Sequence, residues 1–192
     1  MPTVQEMEDY IVSENDISSE GKKRDVLSSN SLYEMCLKAK YYKLNAQFWG
    51  KGAIEPRVKT IMGLDAPPNA ISGDASKAGE NYEIKASMCD KTLNYVQIRP
   101  DHNVHWYILI GFFIQDNRPT LRTLKVPSDK IYELVVKYGG YAHGTVGELG
   151  TVRQETIRGN NNEYSLRPKP NGNPGTKPRK LWDELVQYAI EL

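Results

Sequence analysis

Asp74 and the segment Glu83-Ile84-Lys85 hold the residue types that phosphodiester hydrolysis requires. Successive side chains of a strand point to opposite faces, so Glu83 and Lys85 share one face and Tyr82, Ile84 and Ala86 the other. The apolar face is expected to enter a core. A turn over Lys77 to Asn81 brings Asp74 back beside Glu83 and Lys85. Two convergent carboxylates suit Mg²⁺, which takes one or two of them and fills its other positions with water and phosphate oxygens. A lysine beside them can stabilise charge on the phosphate or orient the attacking water. An isolated Glu-x-Lys strand also serves as a solvated face whose charges offset each other, so its neighbours decide its meaning. Asp65 is a rival first acid, but Ala66-Pro67-Pro68-Asn69 places it in a loop.

Two further residues are placed to join this constellation. Glu55 precedes Asp74 on an expected helix, where it is either a catalytic carboxylate or a first-turn glutamate stabilised by the helix dipole. Gln97 follows on the next strand, with Arg99 on its face and Val96 and Ile98 on the other. It is either a partner of the phosphate or water, or a polar edge residue. Ser87 shares the face of Lys85 by the same alternation. His102, His105 and His143 have no metal-ligand spacing. The first two read as residues at the entry to a strand. His143, between small residues, is either a turn histidine or part of a loop that touches DNA.

The chain has 192 residues, 39% hydrophobic and 26% charged, which fits one domain over residues 1–192 with a full core. Its net charge is +1, so no overall basic field marks a nucleic-acid partner and any such contact must come from local clusters. Cys36 and Cys89 lack ligand spacing and read as half-buried reduced thiols. The N-terminal residues are too acidic and polar for a signal peptide. The apolar run from Trp106 to Ile114 is too short to cross a bilayer. A cytoplasmic protein with no membrane partner is expected.

These residues must be positioned by an α/β fold. The first thirty residues carry a short helix around Val4 to Val12 and then a polar loop or mobile arm. The capping-box pattern Ser31-Leu32-Tyr33-Glu34 opens a helix whose buried stripe is Leu32, Met35, Cys36, Ala39, Tyr42 and Ala46, ended by Gly50 and Gly52. A second helix covers Ala53 to Met62. Strands are predicted at Ala70–Ala75 and Tyr82–Met88 as a hairpin, then at Asn94–Arg99, His105–Ile114 and Leu121–Val126. The fourth is a near-continuous apolar run, as expected of a central strand covered on both faces. Pro127-Ser128-Asp129 opens a helix closed by Gly139-Gly140, and a last helix runs from Pro178 to the end. The expected architecture is a mixed sheet of about five strands flanked by helices.

In this order of elements, Asp74 and Glu83-Ile84-Lys85 resemble the PD-(D/E)xK nuclease superfamily over roughly Ala53 to Ile114. The compact chain and its late loop-rich segment further resemble a type II restriction endonuclease. That resemblance implies a restriction-endonuclease-like core and hydrolysis of double-stranded DNA at a specific sequence with Mg²⁺. It makes Asp74 and Glu83 the metal ligands and Lys85 the assistant to the attacking water. It also supports a role for Glu55, since many such enzymes add a helical glutamate. Gly73 stands where the pattern places a proline. A homodimer follows from the need to cut both strands. The alternatives are a repair or recombination nuclease selecting DNA structure, and a non-catalytic nucleic-acid-binding module.

Residues 141–180 form the expected DNA-contacting region. From Val152 to Lys180 the positives Arg153, Arg158, Arg167, Lys169, Lys177, Arg179 and Lys180 face only Glu155 and Glu163. Such a surplus suits phosphate contacts. Asn160 and Asn161 are amides of the kind that read adenine edges, and the arginines could read guanine. Tyr141 and Tyr164 are candidate sugar or base contacts. The alternative is a solvated loop whose Asn and Gly residues serve turns.

Overall fold

A computed structural model describes residues 5–6, 9, 17–89, 91–138, 140–141, 157 and 163–192. In chain order the elements are α1 (Ser19–Leu27), α2 (Leu32–Tyr41), a π-helix (Phe48–Ile54) continuous with α3 (Glu55–Met62), β1 (Ala75–Lys77) and β2 (Glu80–Met88). There follow β3 (Tyr95–Ile98), β4 (Trp106–Gln115), β5 (Arg118–Pro127), α4 (Ser128–Tyr138), β6 (Gly140–Tyr141), β7 (Tyr164–Leu166), α5 (Lys177–Leu185) and β8 (Ala189–Ile190).

β4 is apolar from Trp106 to Ile114 because a layer covers each of its faces. Ile108, Ile110 and Phe112 join Tyr82 and Ile84 of β2 against α2, the π-helix and Val58 of α3. Tyr107, Leu109 and Phe113 join Leu124 and Val126 of β5 against α4, α5 and a second sheet. The main sheet is mixed and has five strands in the order β1-β2-β4-β5-β8. β2 and β4 are parallel, and the other neighbours are antiparallel. The second sheet, β3-β7-β6, is antiparallel. The fold is therefore α/β, with helices on both faces of a mixed sheet.

Local chemistry explains the element ends. Ser31 Oγ accepts the Glu34 amide at 3.1 Å and Glu34 Oε2 accepts the Asn30 amide at 2.9 Å, close to the expected capping box. The β4–β5 turn places Asp116 and Asn117 at φ 50° and 57°, the left-handed pair that a two-residue hairpin needs. Ala78 and Gly79 do the same between β1 and β2, so that turn is two residues long and both strands reach it.

Several expectations are corrected. The polar stretch before Ser31 is not an arm throughout: Ser18 caps α1, and Val26 is fully buried. The helix around Val4 to Val12 lies largely outside the described residues. α2 stops at Tyr41, before Ala46, and Gly50 and Gly52 lie inside the π-helix instead of ending a helix. The strand expected at Ala70–Ala75 begins only at Ala75. β3 belongs to the second sheet, and the fifth strand of the main sheet is β8, where the last helix was expected to continue. Cys89 is exposed, while Cys36 is buried. No helix among the described residues is long and apolar enough to cross a membrane.

Candidate active site

β1 covers only Glu80 to Tyr82 of β2, so from Glu83 onward the outer edge of β2 has no strand beside it among the described residues. Asp74, the residue before β1, takes the first place on that open edge. Its amide donates to Tyr82 O at 2.8 Å and its Oδ2 accepts the Ile84 amide at 2.8 Å. Unpaired edge groups are thereby satisfied by a side chain instead of a strand. Asp74 Oδ1 accepts no hydrogen bond from the described residues.

Gly73 makes this approach possible. Its φ is +74°, and a Cβ there would lie 2.5 Å from Tyr82 O and 3.0 Å from Glu83 Oε2. The Glu83 carboxylate thus lies against the backbone that carries Asp74. The departure from proline at this position has a steric reason, since proline cannot adopt that φ.

Alternation along β2 holds. Tyr82, Ile84 and Ala86 face the helical core, and Glu83 and Lys85 face the other side. Glu83 is only 8% exposed and its carboxylate is paired with the Lys85 ammonium. Burial pushes the Glu83 carboxyl above the usual carboxylate range. The Lys85 charge opposes that shift, the Asp74 charge adds to it, and His102 opposes it more weakly.

A cleft of about 410 Å³ opens along this edge. Asp74 and Lys85 line it from the sheet, Lys51 and Glu55 from the helical wall, and Asn94 and Gln97 from the β3 side. Glu83 is paired with Lys85 and is not part of the lining. Glu55 accepts from Lys59 Nζ at 2.7 Å. Because the π-helix runs into α3, the Glu55 amide is already bonded to Gly50 O, so Glu55 does not sit at a free helix end. Gln97 reaches the cleft by a different route from the one expected. Its φ is +58° and the ladder to β7 shifts register here, which leaves Val96 and Gln97 both exposed and Ile98 buried. Arg99 is turned into an ion pair with Glu163.

The residue that sequence reasoning missed is Lys51. It is exposed, lines the cleft and has no carboxylate partner among the described residues, whereas Lys85 is held by Glu83. Its flanking residues Gly50 and Gly52 read as helix terminators, yet they sit in a π-helix, a winding common at functional sites.

No group of three or more His, Cys, Asp or Glu side chains among the described residues is placed to hold a metal. A metal needing three or four protein ligands is therefore a poor fit to these residues. Asp74 and Glu83, whose charges act on each other, offer hard oxygen donors of the kind Mg²⁺ takes, since that ion keeps most of its positions for water and phosphate. A cation would also relieve the repulsion that helps raise the Glu83 carboxyl.

Other expected residues divide clearly. Ser87 Oγ accepts the Asn94 amide at 2.7 Å, and His105 Nδ1 accepts the Asn81 amide at 3.0 Å, so both act on neighbouring backbone. Asp65 is exposed and bridges Ser76 through its backbone, away from the cleft lining. His143, Arg153, Arg158, Asn160 and Asn161 lie outside the described residues, as does the side chain of Tyr141. Arg167 and Lys169 are exposed. Tyr164 is 2% exposed within the core of the second sheet, which removes it as a sugar or base contact. Arg179 is engaged by Asp183 and Pro170 O.

Compared with models of known protein families and with curated proteins, the chain matches none.

Proposed function

We propose that the chain is a Mg²⁺-dependent endonuclease that hydrolyses double-stranded DNA at a specific sequence, working as a homodimer in the cytoplasm. One observation carries the reading: at the open edge of β2 Asp74 accepts the Ile84 amide, Glu83 next to it holds Lys85, and Asp74 and Lys85 line one cleft with Lys51, Glu55 and Gln97. The resemblance of these three residues to the PD-(D/E)xK pattern supports the same reading.

Asp74 and Glu83 are the residues to hold Mg²⁺, which when bound polarises a phosphate oxygen and acidifies a water. Glu83 fixes the Lys85 ammonium at the cleft, so the lysine is preorganised to stabilise charge growing on the phosphate. Lys51, which has no carboxylate partner among the described residues, supplies positive charge that draws the phosphate in. Glu55 and Gln97 are left to orient the attacking water, Glu55 as a proton acceptor and Gln97 through its amide.

Digestion of a large unmethylated DNA with Mg²⁺, beside the same reaction in EDTA and beside Asp74→Asn, tests this. Discrete Mg²⁺-dependent bands that disappear in the variant are expected. A smear would replace sequence recognition by structure-selective or nonspecific cleavage. Intact DNA with a folded wild-type protein would overturn the enzymatic reading in favour of a binding module.

A further inference from the structure

Lys91 and Lys169 line a second cleft, together with Asn171, Asn173 and Thr176 and with no carboxylate among the described residues of the lining. Both lysines are exposed, and neither has a carboxylate partner among the described residues. Cations with no carboxylate beside them among the described residues make a surface suited to a polyanion.

The wall that carries Lys169 is fixed. Its amide donates to Pro178 O at 3.0 Å and its carbonyl accepts the Gly172 amide at 3.0 Å. Asn171 Nδ2 donates to Ile114 O at 2.5 Å, and an Arg179 guanidinium nitrogen donates to Pro170 O at 2.7 Å. A Cβ on Gly172 would meet Lys169 Cβ at 3.0 Å, so the turn is closely packed. Leu93 donates its amide to Pro168 O at 3.0 Å, which fastens the loop after β2 to this wall.

That loop joins the two clefts. Lys91 lines the second cleft, and Asn94, three residues on, lines the one that holds Asp74 and Lys85. Three residues span at most about 10 Å. A DNA strand advances about 3.4 Å along the helix axis per phosphate, so about three phosphates cover that distance.

We propose that the DNA backbone continues from the Asp74–Lys85 cleft across the Lys91–Asn94 loop, and that Lys91 and Lys169 neutralise phosphates about three positions from the one cut. This rests on the nuclease reading above. Lys91 and Lys169 contact backbone alone, so they set affinity and register without reading sequence. Neither residue touches the reacting phosphate.

The test is fluorescence anisotropy of labelled DNA duplexes of unrelated sequence, with Ca²⁺ replacing Mg²⁺ so that cleavage does not intervene, followed by single-turnover cleavage in Mg²⁺ of the large DNA used in the digestion above. The double variant Lys91→Ala/Lys169→Ala, and its length-preserving counterpart Lys91→Gln/Lys169→Gln, should bind every duplex about tenfold more weakly. The slope of log affinity against log salt should fall by about 1.8, two contacts at about 0.9 each. Single-turnover cleavage at saturating enzyme should match wild type, as should the melting temperature. Arg24→Ala, which removes a charge from α1 outside both clefts, should leave the slope unchanged. Wild-type affinity and slope in both double variants, with cleavage intact, would overturn this path and leave the nuclease reading standing. A lowered single-turnover rate at saturation would also overturn it, by placing the lysines at the reacting phosphate. A wild-type protein that binds none of the duplexes and leaves the large DNA intact in Mg²⁺ would overturn both.

Discussion

Asp74 Oδ2 accepts the Ile84 amide at 2.8 Å, so one carboxylate both finishes the edge of β2 and borders the candidate active-site cleft. The two roles use different chemistry. Accepting a hydrogen bond needs only an oxygen, whereas holding a divalent cation needs the charge.

Asp74→Asn and Asp74→Ala should therefore separate them. The asparagine keeps a carbonyl oxygen for Ile84 and should change stability by less than about 1 kcal/mol, while lowering Mg²⁺-dependent cleavage by roughly two orders of magnitude or more. The alanine leaves the Ile84 amide without its partner and should cost about 1–3 kcal/mol as well. Urea denaturation beside a cleavage assay measures both. Equal stability of the two variants would remove the edge-closing role.

The raised Glu83 carboxyl makes a pH prediction whose sign is fixed. Below its ordinary value of 4.5 Glu83 is protonated whether folded or not, and its contribution to stability is fully present. As pH rises through the higher folded value, the buried carboxyl must ionise and that contribution is lost. Lys85→Met removes the neighbouring cation that opposes the shift, so the loss should move to higher pH. Glu83→Gln should abolish it. Thermal melts in EDTA across this range, for wild type and both variants, provide the measurement. Mg²⁺ should reverse the loss in wild type by binding the ionised form, and should not do so in Glu83→Gln.

The sequence shows the heart of the site because the relevant rule is local. Strand alternation alone places Glu83 with Lys85 and turns Ile84 to the core, and a hairpin needs only nearby residues to return Asp74. The capping of α2 by Ser31 is equally local. What the sequence hides depends on distant partners or on unusual backbone. Tyr188, Ala189 and Leu192 continue the apolar spacing of α5, yet Ala189 and Ile190 pair with Leu124 and Thr123 of β5, which no periodicity reveals. β3 reads as a regular strand until Gln97 adopts φ +58° and breaks the alternation. Gly50 and Gly52 resemble stop signals, and only the tertiary wall makes them part of a π-helix that carries Lys51 to the cleft. Val26 is the sole buried residue of α1, too little apolar pattern for a helix to be read there.

Gly73→Ala should damage fold and site together. A methyl group there meets Tyr82 O at 2.5 Å and Glu83 Oε2 at 3.0 Å, at a φ that side chains rarely adopt. The backbone conformation alone costs about 1–3 kcal/mol, and relief of the contact must move either the β2 carbonyl or the Glu83 carboxylate. Cleavage should fall more steeply than stability, because the carboxylate end is easier to displace than a ladder carbonyl. Denaturant midpoints and cleavage rates on the same samples make the comparison. Wild-type cleavage in a folded Gly73→Ala protein would separate Glu83 from the catalytic centre.

Acid stability should depend on the junction of α4 and α5. Glu184 of α5 accepts from Lys137 Nζ at 2.5 Å, from the Tyr138 hydroxyl at 2.5 Å and from Lys130 Nζ at 3.1 Å. These partners, the Lys137 hydrogen bond first among them, hold its carboxyl down at about 2 against an ordinary 4.5. A depressed carboxyl contributes stability that is complete above its unfolded value and disappears as pH falls through the folded one. The contribution should therefore vanish between about pH 4.5 and pH 2. Glu184→Gln should lower the melting temperature at pH 7 and converge with wild type near pH 2. Salt should shrink the difference at pH 7, since the group is near the surface and its cations are screened. A variant as stable as wild type at pH 7 and low salt would show that the α4–α5 contact rests on Leu134, Leu181 and Leu185 packing, with the ion network adding nothing.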